Sequence, residues 1–262
     1  MDKIKKQVSF LITHYNRPLD LLECLEGISK TGIIDYEIVV SDDGSEYENV
    51  KLLQEYKIDK LILSKTNQGL AANINKGIQV CEGEYIVYCQ EDFGLNPKIS
   101  SVLAECFDLL TNKEADLIRF TSNFKFNKLI PLTTNISLIP KFSFRNFLLN
   151  YYQYSDHPFI TTKDFYYKYG NYLEKTSGRY GETEYAIRIL KSNAKIAITN
   201  ETLATLIVGS QSVLVNESVD AIKINNVNKT FVKIARACRL YLELILYNKS
   251  KRGLISYRNF RK

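Results

Sequence analysis

The feature that most limits how this chain can fold is a pattern repeated through its first third, a short apolar run that stops at a polar cluster. Val8-Ser9-Phe10-Leu11-Ile12 stops at Thr13-His14-Tyr15-Asn16-Arg17, Tyr36 to Val40 stops at Ser41-Asp42-Asp43-Gly44-Ser45, and Tyr85-Ile86-Val87-Tyr88 runs into Gln90-Glu91-Asp92. Runs so short and so rich in β-branched residues read as strands. Between them, Leu19, Leu22, Leu25 and Ile28 recur at helical spacing after Pro18, Leu61-Ile62-Leu63 reads as a further strand, and a helix is expected over Leu70 to Val80. Strands and helices alternating in this way give βαβ units, so the expected fold is α/β, with a central, mostly parallel sheet flanked by helices. In such sheets ligands bind beyond the carboxyl ends of the strands, and every polar cluster falls there.

Past Pro97 the pattern loosens. A helix is expected over Ser100 to Thr111, a strand over Leu117 to Phe120, a helix over Thr183 to Leu190 and a strand over Ile196 to Ile198, while Lys125 to Ile139 has no clean period. Residues 229–262 hold ten bases and one acid, so that of the net charge of +6 the first 228 residues carry −3. Within that basic tail a long helix is expected over Thr230 to Tyr247, with Phe231, Ile234, Ala235, Cys238, Tyr241, Leu242 and Ile245 on one face and Lys233, Arg236, Arg239 and Glu243 on another. Two readings of the tail stay open: attachment to an anionic membrane surface, or docking on the body or on a second copy in a homo-oligomer. Five cysteines, odd in number and scattered, give neither a disulfide framework nor a zinc spacing. Val8 to Thr13 is too short for a signal sequence and no apolar run reaches about 18 residues. A cytoplasmic location is the expectation, peripheral on the inner membrane face if the tail binds lipid.

The acidic clusters carry the chemistry. Asp42-Asp43 alone would read as a turn or helix-cap pair. With Glu91-Asp92 at a second strand end, however, about four carboxylates crowd one crevice, and they need compensation. A divalent cation, Mg²⁺ or Mn²⁺, bound to a diphosphate supplies it, because such ions take one or two carboxylates together with phosphate oxygens.

Four segments in this order, Val8 to Arg17, Glu37 to Ser45, Asn67-Gln68-Gly69-Leu70-Ala71-Ala72-Asn73 and Gly83 to Asp92, resemble the family 2 glycosyltransferases of GT-A fold. The resemblance is specific over about the first third of the chain. It implies an inverting transfer of sugar from a nucleotide-sugar donor, a UDP-sugar above all, to a hydroxyl of a glycan or lipid-linked acceptor in bacterial cell-surface polysaccharide synthesis. Residue by residue it implies that Tyr15 stacks on the base, Asp43 accepts a hydrogen bond from it, Glu91 lies near the ribose and Asp92 binds the metal. Thr13, Asn16, Asp42, Asn67, Gly69 and Asn73 complete the donor set. This chain departs from the family pattern in having His14 ahead of Tyr15 and in reading Gln90-Glu91-Asp92 where the family has D-x-D.

Farther on, His157 to Lys163, Tyr169 to Glu174 and Gly181 to Arg188 resemble the acceptor half of the same family, where an acid at the start of a helix is the base. Glu182 matches that position, Glu184 competes with it, and Arg188 matches the family's arginine; the bland reading is that the two acids complement the helix N-terminus. His157 either lines the acceptor pocket or packs beside Pro158, and neither histidine has a partner at metal-ligand spacing. Tyr151-Tyr152 and Tyr166-Tyr167 are candidate sugar-stacking rings. The implied division is a catalytic domain over 1–228, with a donor half at 1–97 and an acceptor half at 98–228, followed by the tail at 229–262. Two rivals remain: a sugar-nucleotide pyrophosphorylase, which would open on a Gly-rich loop this chain lacks, and a non-enzymatic polyanion binder using the tail. Nucleic acid is not an expected partner.

Overall fold

Every residue of strand β1 (Val8–His14) is buried, which requires partners on both of its edges and cover on both of its faces. The computed structural model supplies them; it describes residues 7–175, 178–209, 226–247, 251–252 and 255–256. Lys249, Arg258, Arg261 and Lys262 of the basic tail lie outside the described residues. After β1 come α1 (Pro18–Ser29), β2 (Tyr36–Asp42), α2 (Tyr47–Glu55), β3 (Lys60–Leu63), α3 (Leu70–Val80) and β4 (Tyr85–Gln90). β2 and β4 flank β1 in parallel, and β3 extends the sheet beyond β2.

Alternation along β1 sorts the helices onto the two faces. Val8, Phe10 and Ile12 join Leu21, Leu25 and Ile28 of α1 in one core, while Leu11 joins Ile74 and Ile78 of α3 in the other. The two-residue period of the strand thus meets one apolar stripe on each side. Gly77 makes the second contact possible, because a Cβ there would fall 2.2 Å from Leu11 Cδ1.

The chain continues through β5 (Phe93–Leu95), α4 (Ile99–Thr111), β6 (Leu117–Arg119), β7 (Ile130–Pro131), β8 (Ile136–Leu138), β9 (Phe159–Thr162), α5 (Lys163–Tyr169), α6 (Gly178–Lys191), β10 (Ile196–Thr199) and β11 (Ala204–Leu206). The nine-stranded sheet has the order β3-β2-β1-β4-β9-β6-β10-β8-β7. Seven strands share one direction, while β9 and β8 run against it. The expected mostly parallel sheet is present, and β9, wedged between β4 and β6, is the strand that periodicity did not reveal. α2 was equally hidden, since it buries only Leu53 and carries no apolar stripe. The segment without period holds the short strands β7 and β8.

α7 (Asn226–Ile245) is the long helix expected near the C-terminus, and the 228/229 boundary falls inside it. It docks by a different face from the expected one. Ala237 and Leu240, each 4% exposed, face the body, where Leu240 packs with Tyr151, Ile187 and Leu190. Tyr241 stacks on Phe147 and donates its hydroxyl to that residue's carbonyl at 2.7 Å. Phe231, Ile234, Cys238, Leu242 and Ile245 are exposed. Of the expected face only Tyr241 contributes to the docked stripe, beside Ala237 and Leu240.

Candidate functional site

The backbone laces three strand ends together: Asp43 donates its N–H to the His14 carbonyl at 3.0 Å, and Glu91 donates to the Thr13 carbonyl at 3.2 Å. Asp42 is completely buried there. Its Oδ1 accepts the N–H groups of Gly44 and Ser45 at 3.0 and 2.9 Å, and its Oδ2 meets His14 Nδ1 at 2.9 Å and the Ser45 hydroxyl. Burial opposes the charge, but these bonds win and hold the carboxyl below its ordinary range. Asp43 accepts the N–H groups of Gln68 and Gly69 at 2.9 and 2.8 Å, pinning the turn that starts α3. Burial, and after it the Asp42 charge, leave the Asp43 carboxyl raised.

Thr13 and Asn73 are also committed to the protein. Thr13 shares a hydrogen bond with the Tyr88 hydroxyl, and Asn73 Oδ1 accepts the Ser41 hydroxyl at 2.6 Å. Thr13, Asp42 and Asn73, all buried, thus knit the strand ends beneath the site together. Asn16, in the left-handed region at φ 56°, uses its side-chain oxygen on the Glu46 N–H and the Asn49 amide. Tyr15 is half-buried, Asn67 is exposed, and Gly69, at φ 90°, precedes α3.

Glu91 and Asp92 are placed differently. Burial, and then the neighbouring Asp92, push the Glu91 carboxyl up to about 8. Asp92 is 8% exposed and its carboxyl is also raised, by burial first. Arg17 Nη1 reaches its Oδ2 at 3.3 Å, while its buried Oδ1 has no hydrogen-bond partner among the described residues. An orphaned, buried carboxylate oxygen is costly unless something outside the protein satisfies it. A divalent cation fits this atom. Among the described residues no three acids, histidines or cysteines gather around a common point, so the remaining oxygen ligands would come from a bound phosphate group.

Between β4 and α6 Asp156 is the organising residue. Its N–H donates to Glu182 Oε1 at 3.2 Å, its carbonyl accepts the Gln90 side chain at 3.3 Å, and its Oδ1 accepts the hydroxyls of Tyr154 and Tyr172 at 3.0 Å each. One buried backbone unit thus ties the Gln90-Glu91-Asp92 triplet to Glu182. Burial raises the Glu182 carboxyl, and burial together with the Glu182 charge raises Asp156 well above its usual range. Arg119, fully buried, lends Glu182 its positive charge while donating to the carbonyls of Tyr152 and Gln153 and to the Ser155 hydroxyl. Burial and the nearby Arg119 bring His157 down to about 4, so its ring is neutral at physiological pH.

Glu182 and Glu184 point away from each other, since two residues along a helix turn about 200°. Glu184 receives Arg188 Nε at 3.1 Å and the Tyr247 hydroxyl at 2.6 Å, and Arg188 also holds the carbonyls of Tyr169 and Asn171. That pair ties α6 to Tyr247, just past the end of α7, and to the loop after α5. α6 starts at Gly178, so Glu182 stands in its second turn and the bland helix-end reading loses force. Tyr151 and Tyr166 are core residues, whereas Tyr167 is 83% exposed. A cavity of about 900 Å³ bounded by Gly83, Tyr85, Asp116 and Lys163 opens at the opposite end of β4, away from these carboxylates.

Sequence reasoning missed Asp156, Arg119 and the pairing of Arg17. Arg17 lay inside a quoted segment, but Asp156 and Glu182 are 26 residues apart and meet only because β9 is reversed.

The family model for glycosyl transferase family 2 matches residues 9–169. Among curated proteins, the putative glycosyltransferase EpsH of Bacillus subtilis (strain 168) is 33% identical over 93 residues, 34% of this chain and 27% of that protein. The cholesterol galactosyltransferase of Borreliella burgdorferi is 28% identical over 156 residues, 56% of this chain and 43% of that protein. The chain thus spans less than half the length of either relative. The crystal structure of S. aureus TarS 1-349 in complex with UDP-GlcNAc superposes with a TM-score of 0.61 at 15% identity, covering 92% of this chain and 72% of that one.

Proposed function

Because the chain belongs to glycosyl transferase family 2 and is a glycosyltransferase, we propose that it moves a sugar from a UDP-sugar to a hydroxyl of a glycan or glycolipid, with inversion at the anomeric carbon. The observation that carries this reading is Asp156, whose backbone joins the donor-side triplet to the acid on α6. In one displacement the acceptor O–H gives its proton to Glu182, its oxygen bonds to the anomeric carbon, and the bond from that carbon to the diphosphate oxygen breaks, releasing UDP. Tyr15 offers the base an aromatic face, and Asp43 an acceptor oxygen on a fixed turn. A divalent cation, Mn²⁺ or Mg²⁺, held by Asp92 and the donor phosphates would neutralise the departing diphosphate. Arg119 keeps Glu182 ionisable despite its burial. Family membership leaves no role for the pyrophosphorylase or polyanion-binder readings.

The test is thermal melting with UDP and Mn²⁺ added separately and together. A ligand that binds the native state raises the melting temperature by mass action. No shift at millimolar UDP with Mn²⁺ would sink the donor assignment.

We read 1–97 as the donor half, 98–228 as the acceptor half, and the tail as a membrane contact. The exposed stripe Phe231, Ile234, Leu242 and Ile245, beside the exposed Lys233, Arg236 and Arg239, supports attachment to an anionic lipid surface. No described helix is long and apolar enough to cross a membrane. Flotation with acidic but not zwitterionic vesicles is expected; failure to float at low salt would favour a second copy as the partner.

A further inference from the structure

Arg17 stands at the start of α1, immediately before Pro18. Its N–H donates to His14 Nε2 at 3.1 Å, and His14 is in turn fixed by buried Asp42 at 2.9 Å. The main chain at Arg17 is therefore anchored to the rigid floor of the site. From that anchor the guanidinium reaches Asp92 Oδ2 at 3.3 Å, with side-chain exposures of 15% and 11%. Asp20, in the first turn of α1, adds negative charge near Asp92. The contact of Arg17 with Asp92 is long, and Asp92 Oδ1 has no hydrogen-bond partner among the described residues. A guanidinium is better matched by two parallel bonds to a planar or tetrahedral oxyanion, and a carboxylate by a divalent cation.

We propose that Arg17 is the internal counter-cation of Asp92: it neutralises this carboxylate before a donor binds, yields it to the metal, and turns its guanidinium to the nucleotide diphosphate. Only the last part rests on the donor reading above. The first part concerns Arg17, Asp92 and a divalent cation alone. Two cations cannot share one buried carboxylate without mutual repulsion, so Arg17 opposes metal binding when no phosphate is present and favours it when one is. The residue couples metal to nucleotide and explains how a triplet with a single aspartate still holds an ion selectively in the ternary state.

The experiment measures Mn²⁺ binding by electron paramagnetic resonance without nucleotide, and UDP binding by calorimetry in chelator, on the full chain. Arg17→Gln is expected to tighten Mn²⁺ binding about tenfold and to weaken metal-free UDP binding about tenfold, the scale of one charge-assisted contact. Arg17→Met, which keeps the stem and drops the charge, must show both shifts, whereas Arg17→Lys stays near wild type for Mn²⁺. In an Asp92→Asn background the Mn²⁺ gain disappears, which locates the competing site. Unchanged or weaker Mn²⁺ binding in both Arg17→Gln and Arg17→Met overturns the counter-cation role, and unchanged UDP binding overturns the diphosphate role. If the wild-type protein binds no UDP with or without Mn²⁺, the donor reading falls, while the Mn²⁺ arm still judges Arg17 and Asp92.

Discussion

Two acid pairs that look alike in the sequence meet opposite fates. Asp42-Asp43 and Glu91-Asp92 each follow a parallel strand next to β1. In the first pair every carboxylate oxygen accepts a hydrogen bond from the protein, and Asp42 is held below its ordinary range. In the second pair Glu91 is pushed up to about 8 and Asp92 keeps an orphaned oxygen. Asp42 and Asp43 are anchored by the protein, whereas Asp92 Oδ1 is left for what the site binds. Glu184 is held by two side chains, Arg188 and Tyr247, while Glu182 accepts the Asp156 N–H at 3.2 Å.

The largest expected effect tests the unsatisfied member most directly. Asp92→Asn should reduce transfer on the order of 10³-fold, the loss typical of removing a group that stabilises a departing charge, without lowering the melting temperature. Normal turnover by this variant would break the comparison. Glu182→Gln should cost at least ~10²-fold in transfer rate with UDP binding retained, while Glu184→Gln keeps most of its activity and melts lower. A dead Glu184→Gln beside an active Glu182→Gln would show that the clasp, and not the carboxylate near Asp156, is catalytic. Next comes Asp42→Ala, which leaves His14 and two backbone N–H groups unpaired and should destabilise by about 3 kcal/mol in urea unfolding. An unfolding midpoint equal to wild type would mean the pair is not structural.

The smallest effect concerns pH. Asp156 accepts two tyrosine hydroxyls yet is raised, by burial and then by Glu182, so hydrogen bonds alone do not secure a charge. Because its folded pKa lies above its unfolded one, the native state keeps a proton that the unfolded chain releases. Stability is therefore lost as pH rises from the ordinary carboxylate range toward the raised value. Asp42 has the opposite sign, contributing stability that is lost as pH falls. Asp156→Asn should flatten this decline, gaining roughly 2–4 °C in melting temperature over wild type as pH rises above the ordinary carboxylate range. A parallel pair of curves would place Asp156 among the satisfied acids.

The first third of the chain was legible because its signals are local. The apolar runs of β1, β2 and β4 and the helix Leu70–Val80 are contiguous in the chain, and the strand ends carry their own polar clusters. What could not be read was which carboxylate oxygens find partners, since Gln68 and Gly69 reach Asp43 from 25 and 26 residues away. The chain beyond β4 was less legible for the same reason. β9 is four residues long and joins the sheet backwards, Asp156 sits just before it, and Arg119 is buried by the same reversal. The tail helix was placed correctly but its docking face was not, because Ala237 and Leu240 form as regular a stripe as Ile234 and Cys238.

The reversed strand carries one more implication. Arg119 and Phe159 are direct partners across β6 and β9, so the excursion from 120 to 158, which adds β8 and β7 to the sheet beyond β10, starts and ends on a single rung. A detour that begins and ends at one point can lengthen at little entropic cost, because closure grows only with the logarithm of its length. The β1–β4 framework need not move when the detour changes. Evolution can therefore rewrite this excursion while inheriting the β1–β4 framework intact, and chimeras exchanged at this rung are the natural way to test whether it sets acceptor preference.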